Sequence, residues 1–295
     1  MNPFEIGAFG ANLKVMTTSI SPQITEEQKR QFEEEGFCVV PNLLSARQIE
    51  EIEEFFEAFK HGEHVFDGGS SYAEIDATQM QLRAMNPHRH SQKVQEWFLH
   101  PPVAGVLEAL LGKPALGAQT MYYFKPPGAK GQGMHQDNFY LVAQPTTCIA
   151  AWTAIDDADV ENGCLYVVPG SHRGEILCPS ERGQERWLNY GDSHIGHFPR
   201  DQKPVAVRVA RGSTMFFSGN LIHGSGPNKT EDRPRRTFIG HYIDHASQQV
   251  AKFYHPVLDM NGQVVSRVEE YQGGGPCGDG WGGAHHQSSA TVCVI

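Results

Sequence analysis

The chain has 295 residues, of which 39 % are hydrophobic and 20 % charged, enough apolar material for a sizeable core. A formal charge of −10 and a pI near 5.8 argue against nucleic acid or an anionic membrane surface as the main partner. No run approaches the roughly 20 apolar residues of a membrane-spanning helix, and the N-terminus has no basic-then-apolar leader.

Residues 1–22 read as a loose arm, rich in Gly, Ser and Thr. Thr25 and Gln28 form a capping box that starts a helix running to Glu35 and stopping at Gly36. A short strand, FCVV, follows. Ser45 and Gln48 repeat the capping-box pattern, and Ile49, Ile52, Phe55, Phe56 and Phe59 come at helical spacing, a core face. Residues 61–90 are polar and irregular and read as a loop near the active site. Helical texture returns over 91–111, interrupted by Pro101-Pro102 and closed by Gly112.

Beyond Gly112 the texture changes. GAQTMYYF, TCIAAWTAI, CLYVV, VAVRVA, STMFFS and RTFIGHYI are short β-rich runs separated by Gly, Pro, Asn and Asp. Six such runs without helices between them predict an antiparallel sandwich or barrel of jelly-roll type, with the earlier helices covering one sheet. The expected fold is mainly β with flanking helices in a single domain over 23–272. Residues 273–295 form a Gly-rich tail, in which Cys277, His285 and His286 lack the tight spacing of a metal site. Cys38, Cys148, Cys164, Cys178, Cys277 and Cys293 are scattered without a C-x-x-C pair. All are expected reduced, which makes the cytoplasm the expected compartment.

The chemistry concentrates in GMHQDNFYL. His135 and Asp137 are two apart, so on an extended segment both point to one face, and alternation puts Phe139 there too. LIHGSGPN supplies His223 after the strand STMFFS. Two imidazoles and one carboxylate make the facial triad of non-haem iron(II), which leaves positions free for a 2-oxo acid and dioxygen. An isolated H-x-D pair means little among 15 histidines. Arg235, twelve residues past His223, adds weight, because a guanidinium there can pair with the far carboxylate of 2-oxoglutarate. Arg233 and Arg236 compete for that role. Alternation turns Arg236 away and Arg233 sits in a loop before a proline, so Arg235 is preferred.

MYYFKPPGAKGQGMHQDNFYL, ENGCLYVVPGSH, HGSGPNKT and RRTFIGHY, taken together and in this order, resemble the phytanoyl-CoA dioxygenase family over residues 25–250. The resemblance implies a double-stranded β-helix of cupin-like type and an Fe(II)/2-oxoglutarate-dependent dioxygenase. Such an enzyme hydroxylates a small organic substrate while 2-oxoglutarate is decarboxylated to succinate. His135, Asp137 and His223 match the family's iron ligands and Arg235 its 2-oxoglutarate arginine. The loop between His223 and Arg235 is one residue longer than the family's commonest spacing. The resemblance further implies that Gln119, Trp152 and Ser225 contact the co-substrate. Because Asp137 is present, halogenation, which needs that ligand position vacant, is disfavoured. His172 in PGSH reads as a turn-closing residue. The rival readings are a cupin-like metalloenzyme acting without 2-oxoglutarate, which has no need of a buried Arg235, and a binding protein on a degenerate oxygenase fold.

Overall fold

A computed structural model describes residues 24–60, 83–145, 147–178, 195, 198, 202–273 and 293–294. Thr25 Oγ1 accepts the Gln28 N–H (3.2 Å) and Gln28 Oε1 accepts the Thr25 N–H (2.8 Å), so the expected box opens helix α1 (Glu26–Glu35). Gly36, at φ +88°, closes that helix and releases the chain into β1 (Phe37–Val40). Ser45 and Gln48 make the second box ahead of α2 (Ala46–Lys60), which buries Ile49, Ile52, Phe56 and Phe59 along one side. Within the stretch read as a loop lies a short strand, β2 (Arg83–Met85). The proline pair splits the next helical region into α3 (Gln92–Phe98) and α4 (Pro101–Leu111). Pro101 and Pro102 open the second helix, where a missing N–H costs nothing.

The remaining elements are β3 (Ala115–Lys125), β4 (Gln132–His135), α5 (Asn138–Leu141), β5 (Cys148–Ala154), β6 (Leu165–Val167) and β7 (Val205–Val207). They continue through β8 (Thr214–Ser218), β9 (His223–Ser225), β10 (Arg235–Asp244), β11 (Gln249–Val250), β12 (Leu258–Asp259), β13 (Glu269–Glu270) and β14 (Cys293–Val294). All six runs expected to be strands hold one. The larger sheet runs β1-β8-β5-β10-β3-β2-β14, with β12 beside β3; the smaller runs β4-β9-β6-β7. Pairing in both is antiparallel except between β2 and β14. The strands β11 and β13 form a separate parallel pair.

Strand alternation divides the core into layers. Tyr122 and Phe124 of β3 and Phe238 and Tyr242 of β10 face the helices, where Phe56 stacks on Tyr122 with ring centroids 3.9 Å apart. The other face presents Met121, Tyr123, Trp152, Met215, Phe217 and Ile239, which pack with Leu165 and Val167 of the smaller sheet. Both faces of β3 and β10 are therefore covered, and a polar side chain on their inner face sits in a dry interior. That is where the site lies.

Two expectations are corrected. Cys178 is disulfide-bonded while Cys38, Cys148 and Cys164 are free, so the reading of six reduced thiols fails, and with it one support for a cytoplasmic location. The metal-binding segment is not extended throughout: β4 ends at His135, and Asp137 is already αR (φ −63°, ψ −36°) at the start of α5. Hydrogen bonds of that turn, such as Leu141 N–H to Asp137 O at 3.1 Å, displace the alternation that was to aim Phe139. It is Tyr140 whose ring lies near His135, with centroids 6.2 Å apart. No described helix is long and apolar enough to cross a membrane. The arm, most of the 61–90 stretch, and Cys277, His285 and His286 lie outside the described residues.

Candidate metal and co-substrate site

His135 and His223 are brought face to face by the pairing of β4 with β9, in which they are direct partners. Their ring centroids lie 4.3 Å apart. His135 Nδ1 is 2.8 Å from Gly133 O and His223 Nδ1 is 3.0 Å from Leu221 O. A carbonyl only accepts, so each Nδ1 carries the proton and each Nε2 presents a lone pair. Both Nε2 atoms converge on Asp137 Oδ1, at 3.6 and 3.7 Å. One ligand atom from each of the three residues lies within 4.8 Å of the others, the only such cluster found among the described residues.

Electrostatics keep Asp137 and His223 in metal-binding form. Burial pushes the Asp137 carboxyl up, but His223 and His241 nearby and the hydrogen bond from His241 outweigh it and hold the group well below the usual range. Burial holds His223 down to about 4, so at neutral pH its ring is uncharged. Neutral imidazoles and an ionised carboxylate are the forms that bind a metal. This donor set, with both imidazole tautomers fixed, fits a ferrous ion.

The three candidate arginines differ by partner. Arg236 lies on the helix side, held by Asp156 (2.7 Å), Glu53 (2.7 Å) and Glu57 (3.0 Å). Arg233 pairs with Asp159 at 2.7 Å on the surface. Arg235 is 2 % exposed, turns to the inner face, and has no carboxylate partner among the described residues. Its Nε donates to Gly163 O at 3.1 Å, and its guanidinium lies 5.5 Å from the Trp152 ring centroid. Trp152 is thus both core and platform. Ser225 is buried beside Arg235's strand partner Lys125, whose Nζ is 2.8 Å from Ser225 Oγ. Gln119 is buried on β3 opposite His241. His172 lies elsewhere, with Nε2 at 3.2 Å from Glu33 O at the end of α1.

Three contributors were not read from the sequence. His241 Nε2 sits 3.1 Å from Asp137 Oδ2. Lys125 stands opposite Arg235 and donates to Ser225 Oγ. The ENGC turn also shapes the site, since Asn162 Nδ2 donates to Pro234 O at 3.3 Å and so fixes the entry to Arg235. Gly163 at φ +87° offers Arg235 its carbonyl, and a Cβ there would meet Gly226 O at 2.5 Å. The inner-face alternation of RTFIGHYI was the available signal for His241, since positions 235, 237, 239 and 241 share a face.

Comparison with known proteins agrees with this geometry. The family model described as Phytanoyl-CoA dioxygenase (PhyH) matches residues 32–237. The peroxisomal phytanoyl-CoA dioxygenase of Bos taurus is 29 % identical over 230 residues, covering 74 % of this chain and 68 % of that protein. The Mus musculus enzyme is 31 % identical over 224 residues, covering 70 % and 65 %. The matched stretch thus spans about two thirds of these relatives. Among solved structures, the epimerase SnoN in complex with Fe3+, alpha ketoglutarate and nogalamycin RO is 26 % identical with a TM-score of 0.58, covering 76 % of this chain and 84 % of that one. EctD from S. alaskensis with 2-oxoglutarate and 5-hydroxyectoine shares the fold at a TM-score of 0.60, over 78 % and 79 % of the two chains, with 20 % identity. With well over half of its residues matched by the family model, the chain belongs to the phytanoyl-CoA dioxygenase family.

Proposed function

We propose that this protein is an Fe(II)/2-oxoglutarate-dependent dioxygenase that hydroxylates a small organic molecule, built on a double-stranded β-helix. The observation that carries the reading is a pair of features, both buried against the inner face of β10. One is a cluster of two Nε2 atoms and a carboxylate; the other is a buried arginine without an acidic partner. A metalloenzyme working without a dicarboxylate has use for the first and none for the second.

His135, Asp137 and His223 would hold the iron, which when bound supplies the oxidative chemistry that no side chain can. Arg235 would grip the distal carboxylate of 2-oxoglutarate in a bidentate pair, with Trp152 beneath it and Ser225 at its flank, while Gln119, opposite His241, would meet the co-substrate nearer the metal. Cover from both sheets keeps bulk water away from the arginine end, so each charge there acts in a low-dielectric setting. The deciding experiment measures 2-oxoglutarate binding to the Mn(II)-loaded protein by calorimetry, then succinate release by the iron form in air. Saturable binding that depends on metal, with succinate formed, is expected. A metal-loaded protein that neither binds nor consumes 2-oxoglutarate overturns the reading and leaves the cupin-like metalloenzyme.

A further inference from the structure

Lys125 is the last residue of β3 and stands directly opposite Arg235 in the antiparallel register. It is 5 % exposed. Its ammonium donates to Ser225 Oγ at 2.8 Å and to Gly226 O at 2.6 Å, both neutral acceptors. Arg235 likewise hydrogen-bonds, among the described residues, only to Gly163 O and Thr237 Oγ1 (3.4 Å). Two buried basic side chains therefore face one another with no carboxylate within ion-pair distance of either, among the described residues. Asp156 is committed to Arg236 and Asp159 to Arg233. Cys164, close to both, is kept as a neutral thiol because burial pushes it up to about 11.

A buried charge without a counter-ion costs several kcal/mol, and two of like sign side by side cost more. Such a pair is tolerable where an anion arrives to meet it. One cation suffices to neutralise a single carboxylate, so the second needs a separate reason. The hydrogen bonds supply it. Ser225 Oγ accepts from Lys125, so the hydroxyl's own proton must turn away from Lys125 and is available to an acceptor in the cavity. Lys125 has three N–H groups, of which Ser225 and Gly226 take two.

We infer that Lys125 is a positioning residue for the distal carboxylate of the 2-oxo acid: it orients the Ser225 hydroxyl and, with Arg235, selects a dicarboxylate over a monocarboxylate. This rests on the co-substrate reading above and adds to it the device that sets the choice of 2-oxo acid. Burial and the charge of Arg235 both push the lysine's proton affinity down, and an arriving carboxylate would push it back up and favour the charged ammonium.

The test compares 2-oxoglutarate with 2-oxopentanoate, which has the same chain length and 2-oxo acid end but no distal carboxylate. Binding of each to the Mn(II)-loaded protein is measured by calorimetry for wild type, Lys125→Met, Lys125→Gln and Arg235→Gln. Wild type is expected to prefer 2-oxoglutarate strongly. Lys125→Met should weaken 2-oxoglutarate by about 10- to 100-fold, the range of a charge-assisted hydrogen bond, and leave 2-oxopentanoate within about twofold. Lys125→Gln, which still donates to Ser225, should recover part of the loss. Mn(II) affinity and thermal midpoint identify a variant that has not folded, and Lys125→Gln then carries the comparison. If both acids weaken equally, or neither changes, Lys125 only supports the architecture and the inference is wrong. If wild type itself fails to discriminate, or Arg235→Gln leaves the preference intact, the co-substrate reading falls and the inference falls with it. If Arg235→Gln abolishes the preference and the Lys125 variants keep it, the co-substrate reading stands and the inference alone is overturned.

Discussion

His241 Nε2 lies 3.1 Å from Asp137 Oδ2, while Oδ1 of the same carboxylate faces the imidazoles of His135 and His223. The two oxygens thus have separate roles, one turned to the metal position and one held from behind. Outer partners of this kind fix the orientation of a ligating carboxylate. His241→Leu is expected to weaken Mn(II) binding by about 10- to 100-fold, and His241→Gln, which can still donate, by less. Calorimetric Mn(II) titration checks this. Equal affinities for wild type and His241→Leu would show that Asp137 is held by its own turn alone.

Removing the carboxylate itself goes further. Asp137→Ala should lose most metal affinity and all succinate production, since two imidazoles alone do not make the facial triad. Asp137→Gly should also lose hydroxylation and show at most traces of halide incorporation. Metal content after dialysis and product mass are the readouts. Full turnover in either variant rejects the ligand set.

The three neighbouring arginines separate by the kind of damage each substitution does. Arg235→Ala should raise the KM for 2-oxoglutarate by roughly 30- to 1,000-fold with metal binding intact, and Arg235→Lys should restore only part. Arg236→Ala should leave that KM nearly unchanged but destabilise the fold by about 1–3 kcal/mol, because it removes the guanidinium shared by Asp156, Glu53 and Glu57. Arg233→Ala should do neither, being an exposed pair. Urea denaturation and succinate release, run side by side, distinguish the three.

Acid sensitivity should have a source outside the metal site. His88 Nδ1 is 2.7 Å from Thr120 Oγ1, its ring packs on Phe98, and burial holds it down to about 3. Below about pH 6.5 the unfolded chain takes up this proton and the folded one does not, so stability falls as pH falls towards 3. Between pH 6.5 and 5 the loss is about 2 kcal/mol. His88→Gln should flatten that part of the profile, measured by urea unfolding of Mn(II)-loaded protein at both pH values. An unchanged slope means that other groups carry it.

Features encoded by neighbours in the chain were readable from the sequence: both capping boxes, the Pro101-Pro102 break and the six strand runs. The triad was also readable, because its residue types are restricted, although its geometry was not. Asp137 reaches the site from a helical turn, and nothing in H-x-D distinguishes that from a strand. The inner face of β10 is legible for Arg235 and, by the same alternation, for His241 six residues on, though no motif singles the histidine out. Lys125 gave no local signal, since its meaning comes from register with a strand more than a hundred residues away.

The strand β10 holds Arg235 near one end and His241 towards the other, with a bulge only after His241. On the proposed function it would work as a caliper, one jaw at the co-substrate's tail and the other behind the metal's carboxylate. Added length before Arg235 is taken up by the loop after His223, so such an insertion leaves the gauge unaltered. One residue inserted between 235 and 241 would turn one jaw to the opposite face of the sheet. Evolution in this chain is accordingly free to vary the approach to the strand and is held to a fixed count within it.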